Sequence, residues 1–195
     1  MREASVKRVT KETDIELNIR LDGTGEAGID TGIGFFDHML EAMARHGLFD
    51  LELRVKGDLH VDQHHTVEDT GIVLGEAIRK ALGDKRGIRR TGHCMFPMDE
   101  ALAVVALDLS GRPYLRFAPR FRSRAVGGLQ SDLVEDFFQA LASSGAMTIH
   151  ASVPQGRSDH HKMEALFKAL GKALGQACEI DPRAGNALPS TKGML

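Results

Sequence analysis

The chain has 195 residues, 42% of them hydrophobic and 27% charged, enough to bury a core as one domain or two small fused ones and too apolar to be mainly disordered. Its 25 Lys and Arg against 27 Asp and Glu leave a formal net charge of -2, which gives nucleic acid or an anionic membrane no electrostatic grip. Cys94 and Cys178 stand far apart in no CxxC pattern, which argues against a disulfide framework or thiolate metal site, and no apolar run approaches the ~20 residues of a membrane span.

The opening MREASVKRVT lacks the apolar stretch of a signal peptide, so a cytoplasmic protein without membrane or nucleic-acid partners is expected. DIELNIRLDG alternates as a strand does, and GTGEAGIDTGIG, although superficially like a phosphate loop, reads as a turn-rich connection. FFDHMLEAMARHG is a predicted helix carrying His38 and His46, and LFDLELRVKG is the next strand. A helix follows from His64, with Val67, Leu74, Ile78 and Leu82 at helical spacing. GDKRGIRRTG is polar and glycine-rich and marks a joint between halves 1–88 and 89–195. Beyond it come the strand ALAVVALDLSG, the helix DLVEDFFQALASSG, the strand AMTIHASV and a helix from His160 with Met163, Leu166, Leu170 and Leu174 on one face.

Strand, helix, strand, helix thus occurs twice, and the last helix of each set carries the proof of duplication. HHTVEDTGIVLGEAIRKAL from His64 and HHKMEALFKALGKALGQAC from His160 align without a gap and agree at His64/His160, His65/His161, Glu68/Glu164, Leu74/Leu170, Gly75/Gly171, Ala77/Ala173 and Ala81/Ala177. The expected fold is α+β: duplicated half-domains, each a small, mostly antiparallel sheet covered on one face by two helices.

Nine histidines stand out in a chain with no Trp and one Tyr. In HHxxE on a helix, His64 and Glu68 share a face while His65 points about 100° away round the axis, and the second copy does the same with His160, Glu164 and His161. Packing alone does not require the same polar triplet at two helix starts. The pattern predicts two equivalent metal sites of imidazole and carboxylate, each taking a His and Glu from one repeat and the odd His from the other, suited to an ion such as Mn²⁺. His38 is placed to add a ligand, and its counterpart in the second half falls near Asp136, an oxygen ligand in the equivalent place. His60, His93 and His150 read as structural. Arg90, Arg112 and the Ser190, Thr191, Lys192 tail carry groups that a phosphate monoester wants.

Together FFDHMLEAMARHG, HHTVEDTGIVLGEA, MDEALA, DLSGRP, HHKMEALFKA and LPSTKG resemble the imidazoleglycerol-phosphate dehydratase family, from Glu12 to Lys192. The resemblance implies a hydro-lyase of L-histidine biosynthesis that removes water from D-erythro-imidazoleglycerol phosphate, a small-molecule phosphate, to give imidazole acetol phosphate. It further implies two Mn²⁺ per active site and self-association into a 24-mer built from trimers whose interfaces complete the sites. The metal ligands it implies are His38, His64, His65, Glu68, His160, His161 and Glu164; the helical-face argument would group His38, His64, Glu68 and His161 on one ion and His65, His160 and Glu164 on the other. Glu12, His38, His46, Arg90, Arg112, Ser190 and Lys192 are the implied substrate contacts, the last four of them for phosphate.

Three positions depart from the family pattern. Asp136 of Glu135-Asp136-Phe137-Phe138 stands where the family has a histidine ligand, and the shorter, anionic side chain leaves three outcomes open, ligation through oxygen, binding through a water, or a weaker ion; Lys162 and Ser158 differ beside the second HHxxE. The expected chemistry makes an imidazolate held by two metals the electron sink that expels a hydroxyl, after which a carboxylate, Glu12 or Glu164, removes the neighbouring proton. The competing readings are a dinuclear metallohydrolase and a non-catalytic metal-binding shell protein.

Overall fold

The structure, a computed structural model, describes residues 2–193, so Met1, Met194 and Leu195 of the two expected halves lie outside it. Strands β1 (Glu3–Val9), β2 (Thr13–Arg20), β3 (Ala27–Asp30) and β4 (Asp50–Gly57) form one sheet in the order β1-β2-β4-β3. Strands β5 (Thr91–Met98), β6 (Ala101–Asp108) and β7 (Tyr114–Phe117) form a second with β10 (Thr148–Gln155), in the order β5-β6-β10-β7, and a short ribbon pairs β8 (Ala125–Val126) with β9 (Leu129–Gln130). Each four-stranded sheet is antiparallel except at one edge, where β3 runs parallel to β4 and β7 to β10.

Helix α1 (Gly34–Gly47) joins β3 to β4 and α2 (His64–Leu82) follows β4; α3 (Leu133–Ser144) precedes β10 and α4 (Asp159–Cys178) follows it. The two halves therefore share one topology, and the α+β duplication read from the sequence is the observed architecture. Alternating burial along β2 and β4 leaves one face of the first sheet to solvent and turns Ile15, Leu17, Ile19, Leu51 and Leu53 toward the helices. The segment 23–34 departs from the expected connection: it contains strand β3 and supplies the first residue of α1. Its Gly23, Gly25 and Gly28 do have the spacing of a dinucleotide loop, but the first two lie between β2 and β3, the third lies within β3, and none opens a helix, so the fingerprint lacks its context.

The helices pack across the halves, α1 on α4 and α2 on α3. Two glycines of the repeat explain this. A Cβ on Gly171 of α4 would stand 2.2 Å from the Met43 carbonyl oxygen of α1, and one on Gly75 of α2 would stand 2.6 Å from the Gly145 nitrogen just after α3. Both helix pairs approach so closely that only hydrogen fits, which is why Gly75 and Gly171 recur at the same repeat position. Phe36 of α1 meets Phe137 of α3 edge to face at 5.4 Å, and Phe137 stacks on Phe167 of α4 at 5.3 Å, so the paired phenylalanines of FFDH and EDFF tie α1, α3 and α4 into one core.

Candidate metal and substrate site

The close crossing of α1 and α4 brings donors from opposite halves together. Glu164 Oε2 lies 3.5 Å from His38 Nε2 and 3.2 Å from His160 Nε2, and one atom of each residue falls within 4.8 Å of the other two. Glu164 Oε1 takes Lys168 Nζ at 2.6 Å. Burial works to raise the Glu164 carboxyl, but the hydrogen bond and charge of Lys168 and the neighbouring His38 outweigh it and hold the group below its ordinary value.

The equivalent place between α2 and α3 holds His64, Glu68 and Asp136. His64 Nε2 lies 3.7 Å from Glu68 and its Nδ1 lies 3.6 Å from Asp136. Helix pairing corrects one expectation: His38 does not join His64 and Glu68 within a chain, because α1 packs on α4 while α2 packs on α3. Nor do the odd histidines enter these sets in a single chain. His65 turns Nδ1 to Asp58 at 3.0 Å and has Nε2 3.7 Å from Glu12, while His161 turns Nδ1 to Glu100 at 2.8 Å, with Asp99 3.8 Å away. Both imidazoles are thereby pushed toward the protonated form, His161 chiefly by the Glu100 hydrogen bond and His65 chiefly by that of Asp58.

His46 ends α1 and meets Phe96 edge-on at 5.1 Å, with Lys168 on the same ring. Burial, then the charges of Lys168 and Lys172, push its imidazole toward the neutral form. His38, His46, Glu164, Lys168 and Arg45 line an open cleft of about 470 Å³. Arg90 sits elsewhere: its Nε and Nη2 donate to Asp108 at 2.7 and 2.9 Å, and Nη1 donates to the Pro189 carbonyl at 2.7 Å. The tail is thus fastened to the arginine, and Ser190 Oγ accepts from the Lys192 N–H at 3.2 Å. Arg112 follows β6 in the turn beyond Asp108, where its carbonyl accepts from Thr148.

The two departures near the second HHxxE have structural work of their own. Ser158 caps α4, its Oγ accepting from the His161 N–H. Lys162 is buried and points away from the cluster, donating to Asp159 at 2.8 Å and to the Arg120 carbonyl at 3.2 Å. Asp159 in turn accepts from the Arg122 and Ser123 N–H groups, both at 2.7 Å. His60 and His93 are exposed, and His150 leans on Tyr114 with ring centres 5.7 Å apart.

Sequence reading missed Asp58, Glu100 and Lys168. Lys168 had a signal, since it stands four residues after Glu164 on one helix face. Asp58 comes from the loop before α2 and Glu100 from the turn between β5 and β6, so they occupy unrelated places in the two halves and no repeat alignment pairs them.

A family model described as imidazoleglycerol-phosphate dehydratase matches residues 31–174. The chain is 57% identical over 194 residues to the imidazoleglycerol-phosphate dehydratase of Gluconacetobacter diazotrophicus, covering 100% of this chain and 98% of that one. It is 55% identical over 195 residues to the Chloroflexus aurantiacus enzyme of the same name, covering 100% and 95%. Among solved structures, it is similar to imidazoleglycerol-phosphate dehydratase from Staphylococcus aureus, with TM-score 0.83 and 36% identity over 92% of this chain and 99% of that one. The corresponding structure from Pyrococcus furiosus, in complex with (S)-C348, gives TM-score 0.84 and 37% identity over 97% and 100%. No helix among the described residues is long and apolar enough to cross a membrane.

Proposed function

We propose that this chain, which belongs to the imidazoleglycerol-phosphate dehydratase family, removes water from imidazoleglycerol phosphate to give imidazole acetol phosphate, as a Mn²⁺-dependent hydro-lyase of the cytoplasm. The observation that carries this reading is the convergence of His38, His160 and Glu164, repeated in outline by His64, Glu68 and Asp136 at the equivalent place. Two imidazoles and a carboxylate within 4.8 Å fit a divalent ion such as Mn²⁺. Two such ions, when bound, would act as Lewis acids on the substrate's imidazole ring, so that the ring can accept charge as the hydroxyl departs.

The chain's own residues supply the rest. Glu12 is the better base: it is exposed and 3.7 Å from His65 Nε2, whereas both oxygens of Glu164 are already engaged, by Lys168 on one side and two histidines on the other. His46, held toward neutrality, offers an uncharged imidazole to a substrate hydroxyl in the cleft it shares with His38. Arg90, Arg112, Ser190 and Lys192 anchor the phosphate, and Arg90 keeps the tail in register through Pro189.

His65 and His161 explain why the protein would assemble. A carboxylate on Nδ1 fixes each ring and leaves Nε2 as the ligating nitrogen, yet within one chain neither histidine joins His38, His160 and Glu164 or His64, Glu68 and Asp136; His161 groups instead with Asp99 and Glu100. The odd imidazoles complete the sets of neighbouring copies, which supports trimers and the 24-mer. Removing residues 190–195 tests the reading against its competitors. Dehydration with intact phosphate in the product should be lost while bound Mn²⁺ is kept. A truncated chain that dehydrates at the full rate would contradict the phosphate assignment, and hydrolysis of the phosphate ester by the full chain would favour the metallohydrolase.

A further inference from the structure

The chain contains its own comparison between two donor sets. Helices α1 and α3 hold equivalent places in the two halves, and each lends one donor to a helix of the other half: His38 of α1 beside Glu164 of α4, Asp136 of α3 beside His64 of α2. The first set is two imidazoles and one carboxylate. The second is one imidazole and two carboxylates.

Three further differences point the same way. In the first set both histidines present Nε2 to one oxygen of Glu164, so the donors already converge; in the second, Asp136 and Glu68 sit at opposite nitrogens of His64, whose ring must turn before one nitrogen and both carboxylates face a common point. The Glu164 charge is shared with Lys168 at 2.6 Å, whereas no Lys or Arg forms an ion pair with Glu68 or Asp136 among the described residues. Glu164 is also only 10% exposed, against 45% for Glu68 and 41% for Asp136.

We propose that the two cation sites of this chain are inequivalent, and that Asp136 makes the α2–α3 site the harder one, weaker for Zn²⁺ and retaining preference for Mn²⁺ or Mg²⁺. This rests on the metal-binding reading above. Each added imidazole favours borderline ions such as Zn²⁺ over Mn²⁺, while carboxylate and water favour Mg²⁺ and Mn²⁺. A more open set with two anionic oxygens and no nearby cation suits an ion that keeps several waters, as Mg²⁺ does. The converged, shielded α1–α4 set loads first because its donors need no rearrangement.

Titration of the full-length apo-protein with Zn²⁺ and, separately, Mn²⁺ against a chromophoric chelator tests this. Zn²⁺ should show two classes, one ion each per chain, at least about tenfold apart in affinity, and Mn²⁺ a smaller gap. Asp136→His should close the Zn²⁺ gap by strengthening the weaker class alone, and His38→Asp should weaken the tighter class. Two equal Zn²⁺ sites in the unaltered protein, or no change in the weaker class with Asp136→His, would overturn the proposal while leaving metal binding intact. If neither ion binds at all, the reading beneath it fails as well.

Discussion

His38 and Glu164 come from opposite halves of the chain, yet Nε2 of one stands 3.5 Å from Oε2 of the other. The contact exists because α1 and α4 cross on glycine, and it separates the two glutamates that the chemistry could use. Glu164→Gln should lower bound Mn²⁺ toward one ion per chain and lose turnover with it. Glu12→Gln should keep both ions and still lose about 10²- to 10⁴-fold in kcat, the usual worth of a positioned base. Metal analysis beside steady-state kinetics separates the two; full metal content in an inactive Glu164→Gln variant would reassign the base.

Glu100 and Asp58 orient the outward imidazoles. Replacing Glu100 by Gln removes the carboxylate that accepts from His161 and should weaken Mn²⁺ binding about 10- to 100-fold, the scale expected when such a partner is lost. Gel filtration across a Mn²⁺ series should show Glu100→Gln reaching its largest species only at higher metal. Assembly at the unaltered metal concentration would show that His161 does not link copies.

Much of this was legible in the sequence, and what was not follows a physical rule. The strands read correctly, β2, β4, β6 and β10, are the central ones of their sheets, where both neighbours and one helix-covered face impose clear alternation. Of the six missed, β8 and β9 are the two-residue ribbon, while β1, β3, β5 and β7 are the sheet edges; β3 and β7 are four residues long, and β5 carries Pro97, which an edge tolerates. The duplicated HHxxE revealed the donors. It could not reveal that α1 pairs with α4, since that depends on how Gly171 meets Met43 across the core.

Gly171→Ala should therefore damage site and fold together. The added methyl would stand 2.2 Å from a backbone oxygen, so α1 and α4 must move apart and carry His38 from Glu164. Urea unfolding should show a loss of about 1–3 kcal/mol, typical of overpacking, with weaker binding of the first metal.

Asp159 is a separate test of the architecture around α4. Burial raises its carboxyl, but hydrogen bonds from Lys162 and the Ser123 and Arg122 N–H groups prevail and hold it at about 2, below the usual 3.8. A depressed folded value means that its contribution to stability is complete above about pH 4 and is lost as pH falls toward 2. Asp159→Ala strands the buried Lys162 ammonium and should cost about 3–5 kcal/mol at neutral pH, with a flatter acid limb between pH 4 and 2. Denaturation curves across that range check both effects.

The central claim is dehydration that depends on ions held by these two donor sets, and the direct measurement is imidazole acetol phosphate formed by the purified apo-protein as Mn²⁺ is added. Product should be absent without metal and rise to a plateau as occupancy approaches two ions per chain. No product from imidazoleglycerol phosphate with Mn²⁺ or any competing divalent ion would contradict the account.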